Sequence, residues 1–307
     1  MESCLRARAA PLRTYMSDEP ADILRFAVDA HRNGGVALAT LVEVRGGAAR
    51  SLGAQVAVAS NGRYCGYVSG GCVEAAVAAE ALDAMEEGRD RIVQFGDGST
   101  FFDIVLPCGG GMAVAIHLLR SDDPLREVLS QVERRLPSAL RYTPRTGKLR
   151  VEAVGPDKAC WRGDDFLTAF RPRTRLLLSG QGLEADAVAR LGRAAGFDIH
   201  RADHHMAAEQ VAAAIDRFTA VALLHHDLDA EAILLDVALQ SPAFYIGALG
   251  ATRTHRRRVE RLKASFSEIE IARIRAPIGV FGPARDSSSL ALSILADVAA
   301  VRHLVHP

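Results

Sequence analysis

The sequence predicts an α/β protein with two domains: an amino-terminal α/β domain, and a carboxy-terminal domain built on a Rossmann-like, doubly wound parallel sheet. The length of 307 residues is enough for about two domains. After residue 173, short apolar runs alternate with segments of helix length, which is typical of parallel strands joined by right-handed crossovers. Before residue 120, the dipeptide Asn61-Gly62 lies between two apolar runs and indicates a β-hairpin.

Composition excludes several classes of protein. The 37 basic and 37 acidic residues balance, so the chain has no overall field that would attract nucleic acid or an anionic membrane. No apolar run reaches the roughly 18 residues that span a bilayer, and residues 1–20 lack the apolar core of a secretory signal. Five cysteines are too few for a disulfide scaffold of this size. We therefore expect a cytoplasmic protein that binds neither nucleic acid nor membranes.

Residues 17–120 are predicted to form the first domain. Ser17 or Asp18 can cap its first helix, and Gly88 can end its second. Residues 1–15 are expected to contribute no element, because Met16 is an alternative start. The predicted elements are a helix to about Asn33, a strand over 36–44, hairpin strands over 55–60 and 63–69, a helix over 72–87, and strands over 92–95, 103–106 and 112–119.

Residues 121–172 are predicted to be a connector that holds a short helix over about 124–136 and one hairpin. Residues 173–307 are predicted to form the Rossmann-like domain, whose last helix is capped by Asp286 or Ser287. Its other predicted elements are strands over 175–179, 197–202, 219–224 and 243–246, and helices over 183–195, 206–215, 230–239 and 252–264.

Two glycine-rich turns in the first domain carry cysteines. Gly70 and Gly71 allow a tight turn before Cys72, where a helix is predicted to begin, and the free amides of a helix start favour an anion. Cys108 precedes Gly109 and Gly110 between two apolar strands, so a ligand could approach a nearly bare main chain there. Cys72 could instead be a small buried residue at a helix start, and Cys108 an incidental residue of a sharp hairpin.

Two other uses of these cysteines fit the sequence less well. The cysteines lack the close C-x2-4-C spacing of structural zinc sites. A cysteine protease would need a paired histidine, and the histidines of this domain, His31 and His117, have no supporting motif.

The second domain has a candidate phosphate-binding turn. Gly180-Gln181-Gly182 follows a strand and opens a helix, and Asp203 ends the next strand, where an acid that binds ribose is expected. Glu184 would repel a pyrophosphate if it pointed inward, so a Rossmann-like domain that binds no dinucleotide fits equally well. His226 and the turn that contains Gly247 and Gly250 also follow strands, so these ends would form one rim.

The helix after this turn carries a run of arginines that begins at Arg253. Such a run is commonly a solvated face, and it could also bind a phosphate-bearing ligand. In the functional interpretation, the rim lines a cleft that faces the cysteine-bearing turns.

Together, these motifs resemble those of the XdhC/CoxI family, the accessory proteins of xanthine dehydrogenase and CO dehydrogenase. The first-domain motifs are Arg63–Glu74, which ends in Val-Ser-Gly-Gly-Cys-Val-Glu, and Pro107–Gly110. The second-domain motifs are Tyr245–Gly250, the following Arg253, and the turn Ala276–Gly279. The resemblance covers roughly residues 20–120 and 173–305.

The resemblance implies a molybdenum-cofactor chaperone rather than a turnover enzyme. Such proteins hold the cofactor while a cysteine desulfurase or other sulfurtransferase supplies its terminal sulfur, and then deliver it to the apoenzyme of a molybdenum hydroxylase. It also implies a homodimer, with Cys72 and Cys108 at the metal. The residues then expected to bind the cofactor are Gly70, Gly71, Cys72, Glu74, Cys108, Gly109, Gly110, Gly180, Gly182, Asp203, His226, Gly247, Gly250 and Arg253.

The carboxy-terminal domain departs from the family pattern. Leu183 and Glu184 stand where His-Val is usual, and Ala251-Thr252 replaces Ser-Arg. Two further hypotheses therefore remain open: an NAD(P)-binding oxidoreductase with an appended domain, and a nucleotide-sensing regulator without chemistry.

Overall fold

The computed structural model describes residues 9–15, 17–47, 49–97, 109–202, 206–282 and 284–306. The chain divides into two compact units, residues 1–172 and 173–307. The elements of the first unit are β1 (Leu12–Tyr15), α1 (Pro20–His31), β2 (Val36–Arg45), β3 (Gln55–Ala59), β4 (Arg63–Gly66), α2 (Glu74–Glu87), β5 (Arg91–Gly96), β6 (Gly111–Leu118), α3 (Asp123–Glu133), β7 (Ser138–Thr143), β8 (Lys148–Glu152), β9 (Cys160–Arg162) and β10 (Asp165–Phe170).

A six-stranded sheet with the order β1-β4-β3-β2-β6-β5 organises the first unit. At β2 the sheet is covered on both faces, and successive residues of this strand pack into two different cores. Ala39 and Leu41 pack in the core that includes residues of α2, whereas Leu38 packs in the core that includes residues of α1. An alternating strand covered on both faces shows apolar residues throughout, as the sequence of β2 does.

Strand β1 lies within residues 1–15, for which the sequence predicts no element. It pairs in parallel with β4, with Leu12 opposite Arg63 and Arg13 opposite Tyr64. The strand is only four residues long and gains its stability from this pairing, so its own sequence carries little signal.

Residues 121–172 form α3, where the sequence predicts a short helix, and a four-stranded antiparallel sheet with the order β8-β7-β10-β9, where the sequence predicts a single hairpin. Leu140 and Phe170 are buried in the same core as residues of α1. The segment 157–165 contains β9, where Trp161 donates a hydrogen bond from Nε1 to the Val42 carbonyl at 3.0 Å. This hydrogen bond and the pairing of β9 with β10 connect the segment to the rest of the unit, while its residues stay exposed or half-buried.

The second unit confirms the α/β, Rossmann-like prediction. Its five strands are all parallel, with the order β12-β11-β13-β14-β15. Its elements are β11 (Arg175–Ser179), α4 (Leu183–Ala194), β12 (Asp198–Ala202), α5 (Ala208–Ala213), β13 (Thr219–Leu223), α6 (Leu228–Gln240), β14 (Tyr245–Ala248), α7 (Thr252–Leu262), α8 (Glu268–Ile271), β15 (Ile274–Arg275) and α9 (Ser287–Val305).

Helix α9 is, by length and composition alone, apolar enough to cross a membrane. Ile294 and Val298 are fully buried in the core of the second unit. Asp297 on the same helix accepts hydrogen bonds from Tyr245 and Arg275. These contacts pack one side of α9 into the core of this unit.

Candidate functional site

The turn between β4 and α2 presents the thiol of Cys72 to solvent. Helix α2 begins at Glu74, so Cys72 lies two residues before the helix. The sequence predicts a helix that already includes Cys72, and the observed start is two residues later. Gly71 has φ +112°, a conformation that side chains rarely adopt, and no described atom lies within 4 Å of the place a Cβ would take. The thiol therefore stands beside an open, bare stretch of main chain.

Glu74 fixes this turn from the inside. Its side chain is fully buried, and its Oε1 accepts hydrogen bonds from the backbone amides of Val68 at 3.1 Å and Ser69 at 2.7 Å. The Ser69 hydroxyl donates to the same carboxylate at 2.8 Å. Glu74 had been predicted to bind the cofactor, but its carboxylate is occupied by the turn. Its role in the structure is to position the turn.

Ser69 connects the buried carboxylate to the exposed thiol. Its Oγ accepts a hydrogen bond from the Gly71 amide at 3.1 Å and lies 3.5 Å from Cys72 Sγ. Because the hydroxyl proton is directed at Glu74, Oγ offers the thiol a lone pair rather than a proton. The position of Cys72 is thus set by a chain of hydrogen bonds that starts in the core.

The second glycine turn contacts the same loop as the first. An alanine Cβ on Gly110 would lie 3.2 Å from the Gly47 carbonyl oxygen, and one on Gly70 would lie 3.6 Å from the Ala49 Cβ. Since consecutive Cα atoms are 3.8 Å apart, at most about 8 Å of chain separates these two loop positions. The structure therefore brings Gly70 and Gly110 to one loop. Cys108 lies outside the described residues.

In the second unit, the strand ends meet at a topological switch point. The chain leaves β11 to β12 on one side and returns to β13 on the other, and ligands of doubly wound folds bind where the strand order reverses in this way. Ser179 ends β11, and its Oγ lies 2.7 Å from His225 Nε2 just beyond β13. The sequence indicates His226 as the ligand-facing residue of this strand end, and its side chain is exposed, whereas the neighbouring His225 makes the contact with Ser179. Ser179 and His225 lie 46 residues apart in the sequence, so their contact corresponds to no short sequence motif.

The turn that opens α4 has the expected conformation but an acidic side chain beside it. Gly180 and Gly182 have φ values of +139° and +91°. A Cβ on Gly180 would lie 2.6 Å from the Leu224 carbonyl oxygen, so this glycine is required by close packing. Glu184 Oε2 lies 3.6 Å from the Cβ position of Gly182, where a pyrophosphate would meet a negative charge. Asp203 lies outside the described residues.

The remaining predicted residues divide between core and surface. A Cβ on Gly247 would lie 2.6 Å from two atoms of Ile278, so Gly247 is a packing position rather than part of the rim. Gly250, with φ +121°, and the exposed Arg253 do lie at the rim, next to the start of α7. Within the described ranges, no group of three or more His, Cys, Asp or Glu side chains could hold a metal ion.

Comparison with known proteins covers both units. The model of the XdhC and CoxI family matches residues 30–96, and that of the XdhC Rossmann domain matches residues 176–298. The chain is 50% identical, over 95% of its own length and 92% of the relative's, to a molybdenum cofactor insertion chaperone, PaoD, of Escherichia coli K12.

Two further similarities are more distant. An uncharacterized protein of the same bacterium, YqeB, is 25% identical over 87% of this chain and 43% of its own length. A crystal structure described as a xanthine dehydrogenase from Bacillus halodurans shares the fold, with a TM-score of 0.73 and 18% identity over 93% of this chain and 96% of the other.

Proposed function

This chain belongs to the XdhC and CoxI family, and on that premise we propose that it is a molybdenum-cofactor chaperone. It would bind the cofactor as cargo and transfer it to an apo-molybdoenzyme. One observation carries the proposal: Cys72 presents a soft sulfur ligand on a turn that is open to solvent and already fixed by Glu74. A site that is ordered before binding loses little entropy when cargo arrives.

The residues of this turn fit such a cargo. Gly70 and Gly71 add no side chain beside the thiol, so a bulky planar ligand can approach the main chain. The first amides of α2 follow directly and favour a negative group, and no described side chain caps them. The metal of the cargo would bond to the Cys72 sulfur, and Glu74 would keep Ser69 and the thiol in place.

We propose a finer role along the same lines. Cys108 would be a second sulfur ligand, and Gly109 and Gly110 would leave room beside it. A cysteine desulfurase or sulfurtransferase would supply sulfur to the bound cofactor, and a hydroxylase of the xanthine dehydrogenase class would receive it. The chaperone would act in the cytoplasm as a homodimer.

The test is purification of the chain from cells that make the cofactor and from matched cells that cannot. We expect molybdenum and pterin to copurify only from the first, and that preparation alone to activate an apo-molybdenum hydroxylase. Absence of both metal and pterin would refute the proposal. The alternative of an NAD(P)-dependent oxidoreductase is tested by calorimetry with NAD+ and NADP+, for which we expect no binding, because Glu184 lies beside the turn at Gly182.

A further inference from the structure

Two arginines enclose one tyrosine close to the exposed thiol. The Arg13 guanidinium of β1 lies 4.8 Å from the centre of the Tyr67 ring, and that of Arg50 lies 5.4 Å from it. Arg50 Nε donates to the Ser69 carbonyl at 3.4 Å, and Ser69 Oγ in turn lies 3.5 Å from Cys72 Sγ. Only Ser69 therefore separates the arginine from the thiol.

The charges of this pair are compensated only in part within the described residues. Arg13 donates from Nη1 to the Tyr67 hydroxyl at 3.3 Å, but no described carboxylate forms an ion pair with it, and its Nε is buried without a partner. Arg50 pairs with Asp18 at 2.6 Å, and Asp18 is 63% exposed and so easily displaced. The negative charge of the buried Glu74 also acts on Arg13, but the hydrogen bonds of its carboxylate are made with Val68 and Ser69.

We infer that Arg13 and Arg50 form a binding site for a phosphoester, next to the thiol of Cys72. Arginine matches a phosphate because its planar fork can donate two parallel hydrogen bonds. Stacking on Tyr67 orders both cations before the ligand arrives. An anion between them would relieve the repulsion of two like charges held on one ring.

The ligand implied by the proposed function is a phosphorylated pterin, and in that form the inference rests on it. The phosphoester would lie at Arg13 and Arg50, and the metal end would reach Cys72. Strand β1 would then also position part of the binding site, because its pairing with β4 places Arg13 there. Asp18 would compete with the phosphoester for Arg50.

The direct test measures inorganic pyrophosphate binding to the full chain by calorimetry at low salt. We expect Arg13→Gln and Arg50→Gln each to weaken binding by about tenfold, the equivalent of about 1.4 kcal/mol. Asp18→Asn should strengthen it, because the competing carboxylate is gone. The control is Arg89→Gln, beyond the far end of α2, where the arginine is exposed and paired with Glu87. Thermal melting shows which variants remain folded.

Equal pyrophosphate affinity in the wild type, Arg50→Gln, Asp18→Asn and Arg89→Gln would overturn the inference, even if Arg13→Gln fails to fold. A second arm separates it from the proposed function by measuring binding of the pterin cofactor before and after its phosphate is removed. Loss of affinity on dephosphorylation in the wild type, but not in Arg50→Gln, supports the phosphoester site for this cargo. Pterin binding that ignores both the phosphate and the arginines would overturn the site and leave the chaperone function standing.

If the wild type binds pyrophosphate through Arg13 and Arg50 but binds no pterin, the phosphoester site is supported and the proposed function is refuted. Arg50→Lys is a useful further variant, because it keeps the charge and loses the fork. We expect it to bind pyrophosphate more weakly than the wild type and more tightly than Arg50→Gln.

Discussion

Glu74→Ala should destabilise the first unit and release the thiol turn. Glu74 is fully buried and accepts hydrogen bonds from the amides of Val68 and Ser69 and from the Ser69 hydroxyl. Alanine leaves two buried amides without acceptors, and each orphaned donor costs about 1–3 kcal/mol. We therefore expect the free energy of unfolding to fall by about 4 kcal/mol.

Glu74→Gln is the matched control for this change. The glutamine oxygen can accept from both amides, while its NH2 group donates to Ser69 Oγ, so every buried group keeps a partner. Only the charge is lost, and we expect a loss of stability of about 1 kcal/mol. The contrast between the two variants separates the loss of the charge alone from the loss of the whole hydrogen-bonding side chain.

The assay is urea unfolding followed by tryptophan fluorescence. Trp161 is the only tryptophan of the sequence and belongs to the first unit, so its emission reports on that unit. Hydrogen exchange of the Gly70 and Gly71 amides should accelerate in Glu74→Ala and change little in Glu74→Gln. Equal stability of the two variants, or an alanine variant within about 0.5 kcal/mol of the wild type, would refute the reasoning.

Two further predictions concern the same unit. Burial raises the pKa of Asp90, but its hydrogen bonds, above all that with His117, lower it from 3.8 to about 2. Asp90 should thus contribute about 2 kcal/mol of stability above about pH 4, which is lost as the pH falls through 2. Asp90→Asn should abolish that pH dependence in urea unfolding, and an unchanged dependence would contradict it. Gly110→Ala would place a Cβ 2.3 Å from the Arg45 carbonyl oxygen, and we expect it to lower the free energy of unfolding by more than about 2 kcal/mol. Gly47→Ala, which has open space around its Cβ, should lower it by less than about 0.5 kcal/mol in the same assay. Similar losses of stability in both variants would contradict this reasoning.

The sequence predicted those elements whose signal is local. The hairpin at Asn61-Gly62, the buried strand β2 and the strand–glycine–helix unit around Gly182 all depend on nearby residues, and the structure contains each of them. Strand β1 is stabilised by pairing with β4, about 50 residues further along the chain, and the three-residue β9 by pairing with its neighbour β10. Short strands of this kind have no periodicity of their own to detect.

The candidate site shows the same division. The exposed thiol of Cys72 and its glycines are visible in a short motif. The inward direction of the Glu74 carboxylate, the packing role of Gly247 and the pairing of Ser179 with His225 depend on which residues meet in space. Spacing along the chain cannot distinguish a glycine that leaves room for a ligand from one, such as Gly247, that leaves room for the side chain of Ile278.

The central claim is that the Cys72 sulfur holds the cofactor, and pterin and molybdenum content of purified variants tests it most directly. Cys72→Ala is compared with the wild type and with Cys160→Ala, a half-buried thiol of the same unit. We predict that Cys72→Ala loses most of the bound cofactor while its unfolding curve is unchanged, and that Cys160→Ala retains it. A folded Cys72→Ala variant that carries as much molybdenum and pterin as the wild type would contradict the account.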